Sequence, residues 1–269
     1  MTKPNQAYPT DLNDTEWTQI APYLSEASLM GRPREIAWRD IMNGIFYMAK
    51  NGCVWRALPH DFPVWQTVYY YFRLFQKSLK WEKLNTIIRE QVRVKEGREP
   101  QASAMIIDSQ SAKSAEGGAE IGFDGGKLVR GRKRTVIVDT LGLVAVAKVT
   151  AANKADVNAG KEALVYLKAK PELTERLKKI FADGGYRGEL LNWVKSELHA
   201  EMEIVLKLGG QKGFQVLPKC WAVERTNAWS LATAVWQETM NVWLKQANLL
   251  FMLMVRSGLR RLAGACSTY

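Results

Sequence analysis

Along "DLNDTEWTQIAPYL" the apolar residues Trp17, Ile20 and Leu24 recur three and four apart, the spacing of one helix face, with Asn13 or Asp14 as the N-cap. "GRPRE" follows as a basic turn with a proline stop. In "IAWRDIMNGIFYMAKNG" Ile41, Ile45 and Met48 keep the helical spacing, and Gly52 ends the run. "CVWRALPHDFP" reads as a loop, and "VWQTVYYYFRLFQKSLKWEKLNTIIREQVRVK" as one long helix or two shorter ones. Several short helices joined by basic turns suit a helix-turn-helix-like module, and a plain helical bundle with a solvated basic face fits the pattern equally.

The periodicity changes after the polar stretch "EGREPQASA", which sets a boundary between a helical domain, 1–96, and a second domain, 97–269. "AMIID" is a short buried strand that ends in an acid. "RKRTVIVDTLGLVAVAKVTAA" reads as a hairpin of two apolar runs around "DTLG". "NAGKEALVYLKAK" is an amphipathic helix, "LKKIFADGGYRG" another strand ending in an acid, "ELLNWVKSELHA" a helix and "EMEIVLKL" a strand. The fold class is therefore α/β of the α+β kind, helices first, then a mixed sheet flanked by helices.

Charge narrows the function. The chain of 269 residues carries a formal charge of +11, and its pI is near 9.5. A protein this basic meets a polyanion, nucleic acid before membrane surface. No stretch reaches the roughly 20 apolar residues of a membrane span, and the polar N-terminus does not read as a signal peptide. Cys53, Cys220 and Cys266 have no metal-ligand spacing and suit reduced cytosolic thiols. With only two histidines, His60 and His199, a histidine-rich zinc site and Ser-His chemistry are disfavoured. A metal here would be held by carboxylates, which favours Mg²⁺ or Mn²⁺.

Two acids stand at strand ends, Asp108 in "MIID" and Asp183 in "IFAD", where ligands of α/β sheets collect. Glu224 opens a helix in "WAVERTNAW". Three carboxylates from separate elements can converge on two divalent ions and serve phosphodiester chemistry. A lone Asp at such a place is more often a turn or capping residue, and that alternative stays open for each. "GFDGGKLVRGRKR" supplies Lys127, Arg130, Arg132, Lys133 and Arg134, a flexible cationic stretch suited to phosphates or to solvent. Arg187 in "DGGYRG", Arg225 beside Glu224, Arg32 and Arg34 in the basic turn, and Arg56 in the loop are the other candidate DNA contacts.

These blocks resemble a bacterial insertion-sequence DDE transposase of the insertion-sequence-five type. The resemblance runs from about Leu12 to Trp229 and resumes at about Met254. "GRPREIAWRDIMNGIFYMAKNGCVWRALPHDFPVWQTVYYYFRLF" is similar to the family's N-terminal region, "IIDSQSAKSAEGGAEIGFDGGKLVRGRKRTVIVDTLGL" to its first-aspartate block, "ADGGYRG" to its second, and "WAVERTNAW" to its glutamate block. The resemblance implies an RNase H-like catalytic domain and a metal triad of Asp108, Asp183 and Glu224 with two Mg²⁺ (or Mn²⁺) ions. It further implies cleavage of double-stranded DNA at element ends with strand transfer into target DNA. A homodimer or larger multimer on paired ends is expected, in the bacterial cytoplasm at the nucleoid. A catalytically dead remnant that occupies element ends is the alternative.

The departure comes after Trp229. The family's glutamate helix continues roughly as R-Y-R-R-L-x-K-D-Y-E-R-L, whereas this chain has "SLATAVWQETMNVW". Back-translation from the third base of the Leu231 codon allows R-Y-R-R-L-A-R-D-Y-E-R-L. Trp236 with Gln237 forces Ala (GCA), and Met240 with Asn241 forces Glu (GAA). The remaining frame is closed, because ATG followed by AAY contains TGA. About Ser230 to Leu253 thus reads as an out-of-frame segment between two compensating one-base shifts, and the protein as written should transpose weakly or not at all. The alternative is a divergent helix that happens to back-translate this way.

Overall fold

Asn13, rather than Asp14, caps the first helix, α1 (Asp14–Ile20). Its side chain accepts from the Glu16 amide at 2.8 Å, and the Glu16 carboxylate accepts from the Asn13 amide at 2.9 Å, a reciprocal capping box. The computed structural model describes residues 8–24, 35–113, 121–206, 221–231 and 246–264. Helix α2 (Trp38–Asn51) stops at Gly52, whose φ of 70° is the left-handed cap that glycine adopts without strain. The long aromatic stretch forms two helices, α3 (Trp65–Lys77) and α4 (Lys80–Lys95), divided at Leu79 with φ 55°.

After α4 the chain turns to strands: β1 (Ala104–Lys113), β2 (Gly122–Asp124), β3 (Val129–Asp139) and β4 (Val144–Ala151). Then come α5 (Asp156–Lys168), the single turn α6 (Pro171–Thr174), β5 (Lys179–Ala182), α7 (Glu189–Glu197), β6 (Glu201–Ile204), α8 (Trp221–Leu231) and α9 (Gln246–Leu262). β4, β3 and β1 pair antiparallel, and β5 and β6 extend the sheet in parallel from β1. The mixed α/β architecture expected from the sequence is present, with a short β2 and α6 added.

Two expectations are corrected. β1 does not end at Asp108; "SQSAK" continues it against β3 as far as Lys113↔Gly131. Its polar residues are satisfied laterally: Ser109 Oγ lies 2.7 Å from Thr135 Oγ1, and Arg134 donates to Gln110 Oε1 at 2.7 Å. The stretch "GFDGGKLVRGRKR" is not a flexible loop but β2, a turn and the start of β3. Backbone pairing outweighs the polarity that made both segments look irregular.

The sheet has two apolar faces. Met105, Ile107, Ile137 and Ile180 face α5 and α7. Ile106, Val136, Val138 and Val144 face the N-terminal helices together with α8 and α9, so one core runs continuously across the polar boundary stretch. α4 fastens the two regions. Asn85 Nδ2 donates to Val144 O at 2.8 Å, and Arg93 Nη1 meets Asp139 Oδ2 at 2.5 Å, with the two side chains 6% and 0% exposed. α9 lies against α4 at Gly258, where an added Cβ would stand 2.4 Å from Ile88 Cγ2. Arg256 of α9 pairs with Glu16 and donates to Asp11 O, holding α1 in place. Arg93→Met should destabilise the protein by about 3–5 kcal/mol, because it removes the direct ion pair of a fully buried carboxylate; urea unfolding measures this.

Candidate active site

Asp108 and Asp183 reach one place through strand register. β1 and β5 run parallel with Ala104↔Lys179, Met105↔Ile180 and Ile106↔Phe181 aligned. Continuing that register by two residues sets Asp108 beside Asp183, at the roughly 4.8 Å spacing of neighbouring strands. Ile106 and Phe181 belong to the core on the α8 side, so by alternation Asp108 and Asp183 face that side too. β1 runs on past this point and β5 does not, so Asp183 opens to solvent while Asp108 stays half-buried.

The pair is electrostatically tense. Burial, and then the nearby Asp183 charge, push the Asp108 carboxyl up to about 6, with Asp156 adding to the rise. The Ser109 amide and Lys127 oppose it. Lys127 Nζ is held close by donating to Ser109 O at 3.1 Å.

Local packing fixes Asp183. Its Oδ1 accepts from the Gly185 amide at 2.9 Å and caps the turn Gly184–Tyr186. Tyr186 is buried and donates from its hydroxyl to Ser109 Oγ at 2.7 Å. Gly160 of α5 makes room for that ring, since a Cβ there would be 2.4 Å from Tyr186 Cε1.

Glu224 comes from the first turn of α8. Three successive residues dock this helix. Arg225 Nη2 donates to Leu141 O at 2.9 Å, Thr226 Oγ1 to Gly142 O at 2.7 Å, and Asn227 Nδ2 to Asp108 Oδ2 at 2.8 Å. Glu224 lies one turn before Asn227, on the same helix face. Its Oε2 is buried with no hydrogen-bond partner among the described residues. Among those residues, however, no three acidic, His or Cys side chains stand close enough together to hold a metal ion. The structure thus joins Asp108 with Asp183 and leaves Glu224 outside a three-acid cluster.

These residues fit a divalent cation in the chemistry of their donors. Two adjacent carboxylates repel, one of them at raised pKa, and a third carboxylate has an oxygen without a partner. A cation bound between the two aspartates would relieve the repulsion and the raised pKa, and the Glu224 oxygen is a further donor on the adjoining helix.

The cationic candidates divide. Arg130 and Arg187 are exposed, as are Lys127 and Arg56; Arg56 stands over the Trp65 ring at 5.7 Å. Arg132, Lys133 and Arg134 are buried, the last two 4% and 3% exposed. Lys133 Nζ lies 2.6 Å from Asp156 and 3.7 Å from Asp124, so its charge is spent within the protein. Arg225 is engaged with the β3–β4 turn and stands over Trp221. Arg32, Arg34, Cys220 and Cys266 lie outside the described residues, as does 232–245, the middle of the segment read as out of frame.

Sequence reading missed Asn227, Asp156 and Tyr186. Asn227 was signalled by its place one helical turn after Glu224. Asp156, in the first turn of α5, and Tyr186 gave no comparable signal.

A helical N-terminal region followed by a curled mixed sheet with helices is the setting of an RNase H-like nuclease fold. A family model for the transposase DDE domain matches residues 99–255, and one for transposases of the IS4/5 family matches residues 12–85. The chain belongs to the DDE transposases of the IS4/5 family. No curated protein and no solved structure matches it. DDE domains generally use divalent metal ions, and no described helix is long and apolar enough to cross a membrane.

Asp108 tests the electrostatics. An acid whose folded pKa is raised from 3.8 to about 6 binds more protons folded than unfolded between those values. Stability therefore falls as pH rises through that window and stays lowered above it. Asp108→Asn should raise stability in chelator at pH 7.5 by roughly 1–3 kcal/mol. The advantage should shrink toward pH 4, as thermal melts at the two pH values will measure.

Proposed function

We propose that this transposase binds the ends of its own insertion sequence, nicks them, and joins the freed 3′ ends to target DNA. The observation that carries the reading is the β1–β5 register, which sets Asp108 beside Asp183 with Glu224 carried on the adjoining helix. Asp108, Asp183 and Glu224 would hold two divalent ions, Mg²⁺ or Mn²⁺. Such ions, when bound, activate the attacking oxygen and stabilise the leaving oxygen of a phosphodiester. Asp108 and Asp183 hold one edge of the site through a rigid sheet, and Glu224 approaches from the α8 side. Nicking is hydrolysis at the element end, which leaves a 3′-hydroxyl. That hydroxyl then attacks a target phosphodiester, forming one P–O bond as another breaks.

Lys127 and Arg187 are exposed near the acids and would hold DNA phosphates, with Arg130 farther along β3, and the N-terminal helical domain (1–96) and Arg56 contacting duplex farther away. Arg32 and Arg34 remain candidates on sequence alone. The catalytic domain would span 97–269. Pairing of two ends calls for a dimer or larger multimer, acting on the bacterial nucleoid.

The segment from about Ser230 to Leu253 lacks the basic run of the family and lowers this activity. It follows Glu224 directly, so lost cations there weaken the hold on DNA beside the acids.

The test uses purified protein and duplex carrying the inverted repeats that flank the gene. Mg²⁺-dependent nicking at the repeat ends is expected, weak in this chain and abolished by Asp108→Ala or Asp183→Ala. Restoring R-Y-R-R-L-A-R-D-Y-E-R-L after Leu231 should raise nicking about tenfold or more at moderate salt. Repeat binding without nicking by the restored protein would overturn the enzymatic reading.

A further inference from the structure

We propose that Asn227 is a positioning residue that fixes the Asp108 carboxylate for cation binding and ties it to the helix bearing Glu224. The inference rests on the metal-binding reading above. Asn227 is 6% exposed, and its Nδ2 donates to Asp108 Oδ2 at 2.8 Å. A side-chain carboxylate on a strand can rotate about its last bond. A buried donor on Oδ2, acting with the Ser109 amide, restrains that rotation.

The donor's neutrality matters. A lysine or arginine in its place would offset the Asp108 charge and compete with a cation. An amide orients the carboxylate and leaves its charge in place. Partners of this kind, behind the ligating carboxylates, set metal affinity elsewhere by about 10–100-fold.

The position of Asn227 is itself determined. Arg225 and Thr226 bind the carbonyls of Leu141 and Gly142. At Gly142, φ is 78°, and an added Cβ would stand 2.9 Å from Thr226 Oγ1, so the β3–β4 turn approaches α8 as closely as glycine permits. The same three-residue run thus docks α8 on the sheet and delivers the amide to Asp108. Glu224, one turn earlier, is oriented by the same docking. Asn227 links the first acid to the helix of the third without being a ligand.

Binding of Mn²⁺ to the full chain, followed by electron paramagnetic resonance, tests this without DNA. Asn227→Leu keeps the volume and removes the donor, and Asn227→Ser is polar but too short to reach Asp108. Both are carried so that a folding failure of one, seen by circular dichroism, leaves the other to decide. Asn13→Ala removes the cap of α1, a helix that packs on α9, and separates local support from general stability. Mn²⁺ affinity should fall about tenfold or more in the Asn227 variants and stay near wild type in Asn13→Ala. In an Asp108→Ala background the Asn227 changes should have no further effect. Unchanged affinity in the Asn227 variants, or an equal fall in Asn13→Ala, overturns the assignment while the metal reading stands. Absence of Mn²⁺ binding by the unmutated chain overturns both.

Discussion

The parallel pairing of β1 with β5 is the constraint from which the site follows. It runs from Ala104↔Lys179 to Ile106↔Phe181. A slip of one residue would turn Asp183 to the opposite face of the sheet, away from Asp108. Register is therefore fixed by the burial of two apolar faces, and the acids are placed by the same alternation that builds the core. Ile106 and Phe181 face one layer of helices, and Met105 and Ile180 the other.

Two neighbouring carboxylates cost free energy, and the surroundings hold them against that cost. Tyr186, seated over Gly160, keeps the loop after Asp183 in place. Lys127 lies near Asp108 without a direct ion pair to it, and Lys133 is occupied with Asp156 and Asp124. The repulsion is thus left in place, and a divalent cation would relieve it. At the far end of β3, Asp139 is engaged by Arg93 of α4, and the adjoining turn is gripped by α8. The helical region and the site are therefore supported by the same hairpin.

Much of this was legible in the sequence. Asn13, Gly52 and the apolar spacing of α2 marked helices correctly, because caps and periodicity are local. The "DTLG" turn was found for the same reason. The continuation of β1 through "SQSAK" was not, since its stability comes from β3, a partner distant in the chain. For that reason too, Arg132, Lys133 and Arg134 looked like a cationic loop yet lie buried in a strand. Asp108 and Asp183 could be singled out as acids closing short apolar runs, although only Asp183 follows the end of its strand, and their adjacency depends on a register no local pattern encodes. Asn227 lies within "WAVERTNAW" without a chemical signal of its own, because a neutral amide gains meaning only from what it touches.

The central claim is that Asp108 and Asp183 form one edge of a divalent-cation site. Diffraction from crystals soaked in Mn²⁺, with anomalous differences collected near the manganese edge, tests it most directly. An anomalous peak within coordination distance of both carboxylates is the predicted result. A peak elsewhere in the molecule, or none between the two aspartates at millimolar Mn²⁺, would contradict it.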